Sequence, residues 1–259
     1  MNWDARERVP FGQLSAIQAG AGDAVLFLHG VGLRAEAWAA QIDQFATEYS
    51  LTAPDMPGHG ESEGLGVGAK LSDFTDRIAA ATSAPAIVVG HSMGAMIAMD
   101  LAIRYPEKVH GLAALNAVFR RDAAASATVR SRAATLGGNA NPDPEPTLCR
   151  WFGERASPER RACRKWLGSV SPHGYRAAYS VFATEDGPSE TALSVLACPA
   201  MFMTGDAEPN STPAMSRAMA KLVPVGRAHI VEGAAHMMPM THADAVNSAL
   251  LSFFEDVSR

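Results

Sequence analysis

The sequence predicts an α/β fold: a mainly parallel sheet covered by helices on both faces, with a helical insertion late in the chain. Three observations carry this. Short apolar runs alternate with stretches rich in helix formers along most of the 259 residues. A Gly-x-Ser-x-Gly motif, Gly90-His91-Ser92-Met93-Gly94, joins one such run directly to a helical stretch. Between residues 119 and 188 the strand signal disappears while helical stretches continue.

Taken in order, Ser15–Gln18 reads as an early strand, and Ala24–Leu28 as a short buried one ending at His29-Gly30. A helix is expected over Ala35–Tyr49 and a strand over Leu51–Ala53, which runs into Pro54-Asp55-Met56-Pro57-Gly58-His59-Gly60. Asp73–Thr82 has helical character. Ala86–Val89 is the strand before the motif, and Ala95–Tyr105 is the helix after it. Val109–Leu115 is the next strand; Pro199–Met203 and Ala228–Val231 follow the insertion, and a helix over Ala243–Val257 closes the chain. The expected division is a core of residues 1–118 and 189–259 around an insertion of residues 119–188. Within the insertion an Ala/Arg-rich helical piece precedes a Gly/Pro/Asn break at Leu136–Pro146, and the helices beyond it carry Trp151, Phe152, Trp166, Tyr175, Tyr179 and Phe182. Right-handed strand–helix–strand units place loops, and therefore sites, at the carboxyl ends of the strands.

Composition narrows the function classes. A hydrophobic fraction of 47% is ample for a buried core, and a net charge of −5 provides no basic field for a nucleic-acid partner. Cys149, Cys163 and Cys198 have neither C-x-x-C nor zinc spacing and read as ordinary thiols of a reducing compartment. The first residues lack the apolar stretch of a signal peptide, and no apolar run is long enough to span a bilayer, so a cytoplasmic location is expected. No His/Asp/Glu cluster has metal-ligand spacing; neither a metal nor a cofactor is expected. Gly64–Lys70 follows no strand and reads as a surface loop, not a phosphate cradle.

The motif has a steric reason. A strand that turns at once into a helix brings two backbones close, and flanking glycines remove the Cβ atoms that would clash. The central Ser92 is then held in a strained conformation with its hydroxyl exposed, near a helix N-terminus that favours negative charge. A serine hydroxyl needs a base, and the base needs an orienting carboxylate. His236 lies just beyond the last expected strand, and the loop after Met201–Met203, Thr204-Gly205-Asp206-Ala207-Glu208-Pro209, offers the acid.

Five stretches in this order resemble the α/β-hydrolase superfamily: His29-Gly30-Val31-Gly32, Asp55 to Ser62, the Ser92 motif, Gly205 to Pro213, and Gly233 to His236. Together they reach across most of the chain outside the insertion. The resemblance implies an eight-stranded, mainly parallel sheet with the insertion as a cap over the site. The serine-nucleophile branch is the one resembled, and within it small bacterial hydrolases of the 3-oxoadipate enol-lactonase type. It further implies Ser92, His236 and an acid as catalytic residues. The family's acid-loop spacing, laid on Gly205 and Thr212-Pro213, puts the acid at Glu208; Asp206 is the alternative. The implied oxyanion donors are the backbone N–H groups of Met93 and Val31, with Gly32 as fallback. His29, His59 and Asp55 are read as structural.

Serine at the motif leaves acyl chemistry: esters, lactones, thioesters, amides, or the C–C bond of a vinylogous diketone. A small ester or enol-lactone is the expected substrate; a meta-cleavage-type C–C hydrolase and a non-catalytic ligand-binding relative are the alternatives. The expected pocket residues are His91, Trp151, Trp166, Tyr175, Arg176, Tyr179 and Met237. An arginine clamp for a substrate carboxylate is considered at Arg176 and in the run Arg155, Arg160, Arg161, Arg164 and Lys165, although such a run is usually a solvated helix face.

Overall fold

The computed structural model describes residues 3–66, 68–137 and 139–258. Val67 of the glycine-rich loop, Gly138 of the Gly/Pro/Asn break, and Met1, Asn2 and Arg259 lie outside the described residues. The strands are β1 (Val9–Phe11), β2 (Leu14–Ala19), β3 (Asp23–Leu28), β4 (Tyr49–Pro54), β5 (Ala86–His91), β6 (Val109–Leu115), β7 (Ala200–Gly205) and β8 (Gly226–Val231). They form one eight-stranded sheet in the order β1-β2-β4-β3-β5-β6-β7-β8. The pairs β1–β2 and β2–β4 are antiparallel and all others parallel.

The helices are α1 (Ala39–Phe45), α2 (Leu71–Ala81), α3 (Met93–Arg104), α4 (Ala123–Ala134), α5 (Glu145–Phe152), α6 (Pro158–Ser169), α7 (Pro172–Thr184), α8 (Glu190–Ser194), α9 (Pro213–Leu222), α10 (Met238–Thr241) and α11 (Ala243–Val257). Helices α4 to α8 lie between β6 and β7. Among the described residues no helix is long and apolar enough to cross a membrane.

The central strands are apolar on both faces because both faces are covered. Alternate residues divide cleanly, as a period of two requires. Leu26, Leu28, Val88, Leu112 and Phe202 pack with Phe74 and Ile78 of α2 and Ile97 and Leu101 of α3. Val25, Phe27, Ile87, Val89, Met201 and Met203 pack on the other side with Ile42 and Phe45 of α1 and Leu250, Phe253 and Phe254 of α11.

One expectation is corrected, and one strand was not expected. The helix expected over Ala35–Tyr49 is a 3₁₀ turn, Ala35–Trp38, followed by α1; Tyr49 already belongs to β4, because its backbone pairs with Asp23 of β3. The first strand, Val9–Phe11, carries Pro10, which masks a strand in sequence but is tolerated at a sheet edge.

Candidate active site

Every parallel strand that borders the site ends on a residue group that faces one cavity. Val31 follows β3, Ser92 follows β5, Asn116 follows β6 and His236 follows β8, and all four line a cavity of about 300 Å³. The acid loop after β7 contributes Asn210 and Ser211 to its wall. A wider groove of about 630 Å³, open between the β1–β2 turn and α2, lies apart from these residues.

Ser92 has φ 59° and ψ −118°, in a region that L-residues avoid at a cost of about 1–3 kcal/mol. The conformation survives because the turn is built from contacts that admit no side chain. A Cβ on Gly90 would overlap the Gly94 carbonyl oxygen, and one on Gly94 would overlap the Leu28 carbonyl oxygen. The Ser92 N–H is tied to the Leu115 carbonyl at 2.9 Å, which holds the turn against β6. Met93 is the first residue of α3, where an N–H has no acceptor within its own helix.

The loop after β3 is stitched to the loop after β4. Met56 N–H donates to His29 Nε2 at 2.9 Å, Gly32 N–H to His59 Nε2 at 3.0 Å, and Ala35 N–H to Asp55 Oδ1 at 2.8 Å. Asp55 is itself held by the buried Arg8, whose Nε donates to it at 2.9 Å. The Gly32 N–H is therefore occupied. No hydrogen bond among the described residues takes up the Val31 N–H.

His236 Nδ1 lies 3.0 Å from Glu208 Oε2. A carboxylate only accepts, so Nδ1 carries a proton, and in the neutral ring it is Nε2 that keeps the lone pair. Burial pushes the Glu208 carboxyl up; the His236 ring beside it and the N–H groups of Asn210 and Ser211, at 2.7 and 3.3 Å from Oε1, outweigh that and hold it at about 2. Asp206 is turned elsewhere: its Oδ1 accepts the Gly233 N–H at 2.7 Å and so fixes the loop that carries His236. Gly205 permits the same approach, since a Cβ there would overlap the Ala234 carbonyl oxygen.

Of the expected pocket residues, Trp151, Tyr175 and Tyr179 line the cavity. The Trp151 ring stacks on His236 with centroids 5.5 Å apart and planes at 21°. Four others are placed differently. His91 lies beneath the site, where its Nε2–H donates to the His236 carbonyl at 2.8 Å and its ring meets Trp38. Trp166 points into the core with Leu148 and Cys163, following the apolar stripe of α6. Met237 is buried packing. Arg176 is exposed and donates to the Gly137 carbonyl at 3.3 Å. The charged run of α6 lies outside the cavity; Arg160 and Arg164 both pair with Glu145.

Residues not expected from the sequence also line the cavity: Asn116, Arg121, Arg132, Thr147 and Arg150. Asn116 stands at φ 51° directly after β6, and its Nδ2 donates to Thr204 Oγ1 at 3.3 Å. Its position at the carboxyl end of a parallel strand was the available signal. Among the described residues no group of three or more His, Cys, Asp or Glu side chains could hold a metal ion.

Three buried histidines make the site acid-sensitive. Burial, reinforced by the neighbouring His29, lowers His59 to about 3; burial and the adjacent His236 lower His91 to about 3; burial also lowers His29. The unfolded chain thus binds protons that the folded one refuses. This stabilisation is complete above about pH 6.5 and is lost as pH falls from there toward 3. At pH 5 the loss from His59 and His91 is about 2 kcal/mol each. Urea unfolding at pH 7 and pH 5 checks this: the expected result is a marked fall in stability at pH 5, and equal stabilities would contradict it.

A serine on a strand-to-helix turn, at the carboxyl edge of a mostly parallel eight-stranded sheet, is the arrangement of the α/β hydrolases. Residues 25–249 match the family model described as the alpha/beta hydrolase family. The chain belongs to this family. It is 37% identical over 246 residues to the (E)-2-((N-methylformamido)methylene)succinate hydrolase of Acinetobacter baylyi, covering 92% of each chain. It is 30% identical over 250 residues to the pimeloyl-[acyl-carrier protein] methyl ester esterase of Xanthomonas oryzae pv. oryzae, covering 92% of this chain and 97% of the relative. The enol-lactonase of Burkholderia xenovorans LB400 shares the fold, with a TM-score of 0.82 at 20% identity over 96% of this chain and 100% of that one.

Proposed function

We propose that this chain is a serine hydrolase that cleaves a small ester, lactone or activated amide through an acyl-enzyme. The observation that carries the proposal is the strained Ser92 opening on the same cavity as a histidine whose Nδ1 is held by the buried Glu208 carboxylate. The two relatives named above support acyl chemistry, one being a methyl ester esterase and the other hydrolysing an enamide of a succinate.

In this reading Ser92 Oγ attacks the substrate carbonyl carbon while His236 Nε2 takes its proton. The carbonyl oxygen becomes an oxyanion and receives the Val31 and Met93 N–H groups; one such donor contributes roughly 2.7–4 kcal/mol to the transition state. On collapse the bond to the leaving group breaks, and the imidazolium returns its proton to the departing oxygen or nitrogen. Water then adds to the acyl-enzyme with His236 again as base, and the acid leaves as Ser92 regains its proton. Glu208 stays ionised throughout and stabilises the imidazolium. Helices α4 to α7 act as the cap, since Trp151, Tyr175 and Tyr179 form the cavity wall opposite the sheet.

The test is a turnover panel on wild type and Ser92→Ala: p-nitrophenyl butyrate, an enol-lactone, an enamide and a vinylogous diketone. Turnover of an acyl substrate that Ser92→Ala lacks is the expected result. Turnover of the diketone alone would move the reaction to C–C cleavage, and no turnover of any member would overturn the enzymatic reading.

A further inference from the structure

We propose that Arg132 and Arg150, joined through Thr147, form a receptor for a carboxylate of the substrate. This names a substrate class and rests on the hydrolase reading above. The starting point is charge. In a chain of net charge −5 the cavity wall carries three guanidiniums, Arg121, Arg132 and Arg150, and no carboxylate.

The three are not equivalent. Arg121 is neutralised by Asp186 at 2.9 Å and donates to the Glu185 and Phe182 carbonyls at 2.6 and 3.1 Å. Its role is to tie α4's approach to the end of α7. Arg132 and Arg150 are held only by uncharged groups. Arg132 donates to Thr147 Oγ1 and lies over the Tyr179 ring, 5.3 Å from its centroid. Arg150, one helical turn beyond Thr147 on α5, donates to the same oxygen at 3.2 Å. Neither forms an ion pair among the described residues, whereas nearby Arg160 and Arg164 share Glu145. Two cations, Arg132 half-buried and Arg150 exposed, therefore converge on one neutral hydroxyl at the wall of the cavity, an arrangement that an anion bound between them would favour.

The hydrogen-bond inventory defines the anion. A threonine hydroxyl has two lone pairs and one proton. Both lone pairs of Thr147 Oγ1 are taken by the two guanidiniums, so its O–H is what it gives to the Tyr175 hydroxyl beside it. The Tyr175 oxygen accepts from both Arg132 and Thr147, which leaves its own O–H to give. What this cluster has left to offer is thus guanidinium N–H groups and the Tyr175 O–H, all donors, and an ionised carboxylate is a group that only accepts. The planar fork of each guanidinium suits two carboxylate oxygens better than a point anion. Thr147 is buried, which keeps its hydroxyl fixed and strengthens the interaction.

Two experiments test the receptor. Calorimetric titration of succinate into wild type, Arg132→Met and Arg132→Met/Arg150→Met reads binding whether or not the protein turns over an ester. Affinity should fall by a factor of about ten or more in the single variant and further in the double one, while Arg176→Met matches wild type. Binding should also weaken with added salt, and succinamide should bind far more weakly than succinate. In turnover, the ratio of kcat/KM for p-nitrophenyl hemisuccinate to that for p-nitrophenyl butyrate should fall at least about tenfold in Arg132→Met, through KM. Thermal melts of each variant confirm that it is folded. Unchanged succinate affinity in folded Arg132→Met/Arg150→Met would overturn the receptor, as would tighter binding of inorganic phosphate than of succinate. Succinate binding that depends on Arg132 in a protein inert to every ester would leave the receptor standing and sink the hydrolase reading instead.

Discussion

Replacing Ser92 with alanine is expected to lower kcat by about 10⁵- to 10⁶-fold, because nucleophile, base and acid act as a unit. What remains is the contribution of substrate binding and of the oxyanion donors, which are backbone groups and survive the substitution. The variant should fold as wild type does, since among the described residues Ser92 Oγ contributes no hydrogen bond to the turn and the contacts that shape it belong to Gly90, Gly94 and the Leu115 carbonyl. Stability offers a companion test of the backbone. At φ 59° alanine keeps the strain that serine bears, whereas glycine relieves it. Ser92→Gly should therefore be as inactive as Ser92→Ala yet more stable by about 1 kcal/mol. Parallel assays and thermal melts of the two variants decide both points; equal melting temperatures would argue against a strained turn.

The second large effect is expected at Glu208. Glu208→Gln should cost about 10⁴-fold in kcat, with KM little changed. The amide would present an N–H₂ or a neutral carbonyl to His236 Nδ1, and either way the imidazolium loses the charge that stabilises it. Asp206→Ala should stay within a few-fold of wild-type turnover, because Asp206 holds the Gly233 N–H and not the imidazole. Its cost should instead be stability, about 1 kcal/mol for the lost hydrogen bond. Because the Glu208 carboxyl sits at about 2, it remains ionised across the neutral range, and the acid limb of activity is not expected to report its protonation. A near-normal turnover in Glu208→Gln, or a collapse in Asp206→Ala, would exchange the two roles.

Much of the arrangement of this candidate site was legible because it is tied to chain geometry. Gly90 and Gly94 stand where a Cβ has no space, and a strand–turn–helix with that requirement leaves a recognisable spacing. The ordered loops after β3, β5, β7 and β8 are legible for the same reason: each must place one backbone or side-chain group at the carboxyl edge of the sheet. The insertion follows no such rule. Helix α4 buries none of its residues fully and has no apolar stripe to say which of its arginines turns inward. Arg132 therefore could not be told from Arg130, while the α6 arginines stand out by number alone. Tertiary contact, not local pattern, decides those positions. Trp166 and Met237 show the converse. Large apolar side chains beside a site serve the core as readily as the cavity, and here the stripe of α6 and the packing of α10 carry them inward. The Pro10 strand was hidden because proline lowers strand signal wherever it falls, although an edge strand accepts it.

The central claim is that Ser92 is a nucleophile activated by His236. It is tested most directly by incubating the protein with a fluorophosphonate and measuring the intact mass, followed by peptide mapping of the adduct. One equivalent of phosphonyl group on Ser92 is the predicted result, with the rate of labelling lowered by orders of magnitude in His236→Ala. An unlabelled wild type, or an adduct on any residue other than Ser92, would contradict it.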